Sequence, residues 1–212
     1  MDNTPPSSDP VPNLSAAALA EWDGHMDSVL RGVAHALNNR AASMSALVTL
    51  CMEPDYTRES TQVMLSAEVE RLRDLVNVVR AIGSPKGGVE AFDPSDAARS
   101  AASVLALHAS FRDRTVTINS KAAPVRAQRS QFVRALVVLA GRAAVAAEKQ
   151  KGVVIDVTED GDWVQAVVAG ATRNGASPYL DEIAAVLGGE TLADAPGFRI
   201  PTLAALRRRE GR

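Results

Sequence analysis

The sequence predicts an α+β protein in which an N-terminal antiparallel helical hairpin precedes a domain of helices packed on one face of a mixed or antiparallel sheet. Three observations carry this reading. From Ser15 to Ile82 apolar residues recur three or four apart, interrupted once by Glu53-Pro54-Asp55. Beyond Phe92 the chain alternates between helical runs and short stretches of period two. The two regimes are separated by Gly83-Ser84-Pro85-Lys86-Gly87-Gly88, which has the composition of a linker.

Taken in order, residues 1–13 are rich in Pro, Ser, Asp and Asn, cannot bury enough apolar surface to offset ordering entropy, and are expected to be a disordered tail. Residues 14–83 form the hairpin. Its first helix carries the stripe Met26, Leu30, Val33, Leu37, Ala41, Met44, Val48 and Cys51, with both methionines expected in the core. It stops at Pro54, which restricts the preceding residue and lacks an N–H. The second helix carries Leu65, Val69, Leu72, Leu75 or Val76, Val79 and Ile82, with Glu68 and its charged neighbours mostly off the stripe. One hairpin has an apolar face too many, so two copies are expected to pair as a homodimeric four-helix bundle.

Residues 84–91 read as the linker and 92–206 as the second domain. Asp93 or Ser95 caps a helix expected to reach Phe111, residues 115–118 alternate as a half-buried strand, and residues 129–149 form a strongly apolar helix. Strands at 153–158 and 163–169 are joined through Asp160-Gly161, a hairpin signal. A helix over 179–187 ends at Gly188-Gly189, and a last hairpin turns at Ala195-Pro196-Gly197. Arg207-Arg208-Arg209, within 207–212, reads as a solvated basic tail.

At 212 residues the chain can bury a stable core, and its net charge of −2 gives no reason to expect nucleic acid or an anionic membrane as partner. Its single cysteine, Cys51, has no intramolecular partner, and its place in the first stripe predicts a buried thiol. The N-terminus has neither the basic nor the apolar part of a secretion signal, so a cytoplasmic protein is expected. Phosphate-binding glycine loops, zinc spacings and nucleophile-elbow patterns are absent from the sequence.

The feature that invites chemistry is Arg31-Gly32-Val33-Ala34-His35-Ala36-Leu37-Asn38-Asn39-Arg40. At about 100° per residue His35 falls opposite the mean direction of Val33 and Leu37, so it points to solvent. An exposed imidazole offers an unprotonated ring nitrogen as nucleophile near neutral pH. Arg31, Asn38 and Asn39 lie one turn away and would place a cation and amide donors beside a phosphoryl group. Ala34, Ala36, Ala41 and Ala42 keep the surround low. A solvated surface histidine is the plain alternative. His25 and His108 have no comparable neighbourhood in the sequence.

The order of a histidine-bearing hairpin and an α+β domain resembles the dimerisation and catalytic domains of bacterial sensor histidine kinases, over residues 20–205. His35-Ala36-Leu37-Asn38-Asn39 is similar to their phosphoacceptor box, with Ala36 where an acidic residue usually stands. Residues 130–143 resemble the helix whose asparagines bind Mg²⁺ and nucleotide, but Val138 and Arg142 occupy those places, and neither supplies a neutral oxygen ligand. Residues 169–175 lack the adenine-recognising aspartate, and almost nothing separates them from the next helix to form a glycine-rich ATP lid. Residues 185–189 and 196–201 resemble the closing part of the kinase domain.

The resemblance therefore implies a histidine phosphotransferase with a degenerate, kinase-like α/β sandwich, lacking autokinase activity and relaying a phosphoryl group between receiver-domain aspartates through His35. The chain would bind no ATP, metal or cofactor itself, with Mg²⁺ supplied by the response regulator receiver that docks on the outer face of the bundle between His35 and Pro54. The alternative function is a non-catalytic, pseudokinase-like scaffold that binds or sequesters response regulators.

Overall fold

The computed structural model describes residues 14–52, 58–83, 88–111, 114–146, 152–169 and 176–211. The tail at 1–13, the Glu53-Pro54-Asp55 turn and residues 84–87 of the linker lie outside them.

Helix α1 (Ala16–Leu50) begins where the Ser15 hydroxyl accepts the Ala18 N–H, and α2 (Arg58–Gly83) packs back along it. The faces they bury differ from the expected stripes. Ala18, Trp22, Val29, Val33 and Leu47 of α1 are buried, as are Leu75 and Ile82 of α2, while Met26 and Met44 are half-buried. Leu30, Leu37, Ala41 and Val48 are exposed, and so are Leu65, Val69, Val76 and Val79. Cys51 is also exposed, contrary to expectation, and its thiol donates to Thr61 Oγ1 at 3.6 Å. Glu68, expected off the contact face, is buried inside the hairpin. The physical reason is rotation: the residues that pack within the chain lie about 80–100° around each helix from the most apolar stripe. By the same wheel, both exposed stripes emerge on one side of the antiparallel pair.

After α2 come β1 (Glu90–Phe92), α3 (Pro94–Leu105), β2 (Val116–Lys121), β3 (Val125–Ala127) and α4 (Arg129–Ala146). Asp93 caps α3 by accepting the Ser95 N–H at 2.7 Å. The helix ends at Leu105 rather than reaching Phe111, because Leu107 and His108 donate to carbonyls three residues back and tighten the chain into a turn. A single 3₁₀ turn, Ala109–Phe111, follows. The expected linker gives way to strand at Glu90, since residues 90–92 pair antiparallel with β3.

The sheet is completed by β4 (Val153–Asp160), β5 (Trp163–Ala169), β6 (Glu190–Thr191) and β7 (Gly197–Pro201), with α5 (Pro178–Val186) before β6 and α6 (Leu203–Glu210) after β7. Strand order is β2-β4-β5-β7-β6, parallel only between β2 and β4. The β4–β5 turn places Gly161 at φ 60°, a left-handed conformation that glycine adopts without strain. Along β4 and β5 one face is buried, through Val153, Ile155, Val157, Val164, Ala166 and Val168, and helices α3, α4 and α5 cover this side.

The basic run 207–209 is helical rather than a loose tail. Thr202 caps α6, Ala205 is buried, Arg208 pairs with Asp162, and the guanidinium groups of Arg199 and Arg209 lie 4.7 and 5.6 Å from the Trp163 ring centroid.

Hairpin and α/β unit share one core, in which Ala18, Trp22, Val29, Val33, Leu75 and Ile82 join Phe132, Ile155 and Phe198. Trp22 stacks on Tyr179 with centroids 5.5 Å apart, and Arg134 lies over the same indole while donating to the Ile82 carbonyl at 2.6 Å. Two glycines let the backbones close. A Cβ on Gly32 would overlap the Leu107 carbonyl, and one on Gly141 would meet the His25 ring at 2.5 Å.

This contrast makes a prediction. Gly32→Ala must displace backbone and should cost about 1–3 kcal/mol. Gly24→Ala, in the same helix with nothing within 4 Å of the new methyl, should instead stabilise by about 0.5–1 kcal/mol. Urea denaturation of the two variants checks the opposite signs.

Candidate functional site

Helix α1 presents His35 to solvent, turned away from both the buried face and the exposed apolar stripe. Asn39, one turn on, brings its amide Nδ2 to 3.3 Å from His35 Nε2. An amide nitrogen only donates, so Nε2 is the accepting, unprotonated nitrogen and Nδ1 carries the proton. The geometry thus keeps Nε2 unprotonated, its lone pair engaged by the Asn39 amide. Arg31 and Asn38 are exposed on the same helix, but among the described residues neither hydrogen-bonds to the imidazole. Ala34, Ala41 and Ala42 are exposed and small, whereas Ala36 is half-buried and packs toward the core.

Beneath this surface is a polar contact that the sequence pattern did not reveal. Arg40 Nη1 reaches both Glu68 carboxylate oxygens, at 3.1 and 3.2 Å, and Arg71 donates to the same group. Burial opposes the Glu68 charge, but hydrogen bonds from Arg71 and Arg40 outweigh it and hold the carboxyl below its ordinary range. Helices α1 and α2 are therefore pinned in register just below His35. A groove of about 710 Å³ runs from Ala36 and Arg40 past Asp74 and Leu75 to Leu107.

Val138 and Arg142, which the resemblance sets against the Mg²⁺ and nucleotide ligands of kinases, are both engaged within the chain. Val138 is fully buried in the core. Arg142 pairs with Glu21 of α1 at 2.6 Å and donates to the Ala176 carbonyl, while the second Glu21 oxygen accepts from the Ser177 hydroxyl and the Tyr179 N–H. The cavity beside this clamp, about 400 Å³, is walled largely by Leu139, Ala143, Leu180 and Pro196. Neither residue offers the neutral oxygen a phosphate-bound Mg²⁺ requires. Residues 170–175, where the adenine loop would fall, lie outside the described residues, and residues 170–177 are all that join β5 to α5.

The other two histidines do have a neighbourhood, supplied by tertiary packing. His25 Nδ1 lies 3.3 Å from His108 Nε2 where α1 meets the turn after α3.

No family model matches the chain, and no curated protein matches it. Its structural neighbours are histidine kinases and a phosphotransferase, all at low identity. A bacterial phosphotransferase is 14% identical over 88% of this chain and 96% of its own, with a TM-score of 0.41. The Acinetobacter baumannii histidine kinase AdeS is 11% identical over 79% of this chain and 95% of its own, at 0.39. Histidine kinase ThkA, solved in complex with response regulator protein TrrA, is 14% identical over 90% of this chain and 68% of its own, at 0.40.

Two consequences can be measured. Asn39→Ala should release His35 Nε2 and shift the ring toward the Nε2–H tautomer, read from imidazole ¹⁵N chemical shifts. Both Asn39→Ala and His35→Gln should leave unfolding free energy within about 0.5 kcal/mol of wild type, because exposed side chains of this kind contribute little to stability.

Proposed function

We propose that the protein is a homodimeric histidine phosphotransferase, carrying a phosphoryl group between receiver-domain aspartates through His35 without binding ATP. The observation that carries the reading is the exposed His35 ring, whose Nε2 accepts from the solvent-exposed side-chain amide of Asn39 and therefore carries no proton.

In the reaction, Nε2 attacks the phosphorus of an aspartyl phosphate. An N–P bond forms, the P–O bond to the carboxylate breaks, and the aspartate leaves with the bonding pair while the Nδ1 proton stays in place. Asn39 then turns its amide from the ring nitrogen to a phosphoryl oxygen, and Arg31 offers positive charge from the preceding turn. A second receiver's aspartate reverses the sequence. Mg²⁺ belongs to the receiver, so this chain need supply only a nucleophile held in position. Ala36 fits this role: attack on an acyl phosphate has less need of an adjacent acidic partner than attack on ATP.

The dimer rests on the apolar strip left by Leu30, Leu37 and Val48 of α1 with Leu65, Val69, Val76 and Val79 of α2. These residues share one side of the hairpin and a second copy covers them by the same surface. His35 lies away from that seam and stays accessible. Among the described residues no helix is long and apolar enough to cross a membrane; the relay is placed in the cytoplasm, where receiver domains would meet it.

Incubation with ³²P-labelled receivers should place acid-labile phosphate on wild type and none on His35→Ala, and [γ-³²P]ATP should label neither. No label on wild type from any receiver would leave the non-catalytic scaffold, and micromolar ATP affinity by calorimetry would remove the ATP-free relay. Sedimentation should find wild type dimeric and the double variant Leu37→Asp/Val69→Asp monomeric.

A further inference from the structure

We propose that the His25–His108 pair is an acid-labile latch that holds α1 against the α/β unit when both rings are neutral and releases it when either is protonated. The inference is independent of the relay reading and involves neither His35 nor the dimer seam.

Hydrogen-bond direction carries the argument. The Ser110 backbone N–H donates to His108 Nδ1 at 3.2 Å, so that nitrogen is an acceptor and bears no proton. The neutral ring therefore carries its proton on Nε2, which points at His25 Nδ1, 3.3 Å away. His25 Nδ1 accepts it, and the His25 proton sits on its own Nε2. Ser110, His108 and His25 thus form a one-way chain in which each ring is held in one tautomer. Protonating His108 sets an N–H against the Ser110 N–H. Protonating His25 sets an N–H against His108 Nε2–H. Either event replaces a hydrogen bond by two opposed donors in a nearly closed site, where His108 is only 3% exposed.

The surroundings do not rescue the charge. Glu21 on α1 and Arg142 on α4 are the charged groups facing the pair, and they are spent on each other in the 2.6 Å ion pair. On the third side the Phe111 ring meets His108 edge-on, centroids 5.7 Å apart, and Gly141 underlies His25 without room for a side chain. Burial accordingly pushes His108 down to about 4, and burial likewise lowers His25, with Glu21 opposing and Arg142 reinforcing the effect.

The sign follows directly. Both folded-state values are depressed and the groups are bases, so the neutral latch is fully favourable above the open-state value near 6.5. It weakens as pH falls below that value, because the open form binds protons that the closed form refuses. Across pH 7.5 to 5.5 His108 alone should raise the open-to-closed ratio about ten-fold, and His25 acts in the same direction.

The latch sits where its release would be felt. Gly32 lies on the Leu107 carbonyl, adjacent to His108 in sequence and two turns beyond His25 on α1, so loss of the pair frees the tightest backbone contact between the two parts.

Amide exchange on the intact protein, corrected for intrinsic rates, tests this. Between pH 7.5 and 5.5, protection over residues 22–33 and 105–111 should fall about ten-fold or more, while the 153–169 hairpin keeps its protection. Unchanged protection in the first two segments, or an equal fall in all three, would overturn the proposal. The double variant His25→Phe/His108→Leu should abolish the pH dependence; retention of it in a folded variant also counts against the latch. Should that variant fail to fold, imidazole ¹⁵N shifts of wild type decide: Nε2–H rings for both residues at pH 7.5, lost together with protection, are expected, and an Nδ1–H tautomer at His108 excludes the latch.

Discussion

The close seating of α1 on the α/β unit is the constraint from which the rest of the architecture follows. A long helix with a glycine at position 32 can bring its backbone against the Leu107 carbonyl, and a glycine at 141 lets the His25 ring lie on α4. Once those contacts close, Trp22 reaches Tyr179, Glu21 reaches Arg142, and the hairpin ceases to be an independent bundle segment. It becomes part of the same core as the sheet. Apolar burial supplies the drive, but the small residues determine where it can be realised, since packing at native density tolerates no extra methyl at these points.

That seating also explains the division of labour around α1. One face is spent on α2 and the α/β unit, and the neighbouring stripe of Leu30, Leu37 and Val48 is left bare, while the outward face carries His35 and Asn39. The Arg40–Glu68–Arg71 contact keeps α2 from sliding or rotating beneath His35. A buried carboxylate between two guanidiniums adds less to stability than apolar residues of the same volume could, because its desolvation offsets much of the attraction. Its geometry instead defines a single register between α1 and α2.

Much of the fold was legible in the sequence because its signals are local. Ser15 and Asp93 mark helix starts, Asp160-Gly161 marks the tight hairpin, and the alternation in 115–118 announces the half-buried β2. Where reasoning from pattern went astray, tertiary packing chose between local options. The apolar stripe of α1 identified a helix correctly but not which face meets the rest of the chain, so Cys51 is exposed and Glu68 is inside. Strand β3 is three residues with no periodicity to detect, and it exists through its pairing with β1. The Arg207–Arg209 run is helical because Thr202 caps it and Trp163 offers an aromatic surface. For the site, His35 and Asn39 stand one turn apart, and that neighbourhood is local; the His25–His108 pair spans 83 positions and could not be seen along the chain.

The fate of residue 142 joins these observations. Position 142 is where the resemblance to kinases leads one to expect an amide ligand, and arginine stands there. An arginine there cannot coordinate Mg²⁺, but its length and charge let it reach across to Glu21, whose second oxygen caps the start of α5 through Ser177 and Tyr179. The side chain is thereby engaged within the chain, on Glu21 and the Ala176 carbonyl. One residue thus ties α1, α4 and the start of α5 together, so the hairpin and the α/β unit meet through a shared core rather than through the linker alone.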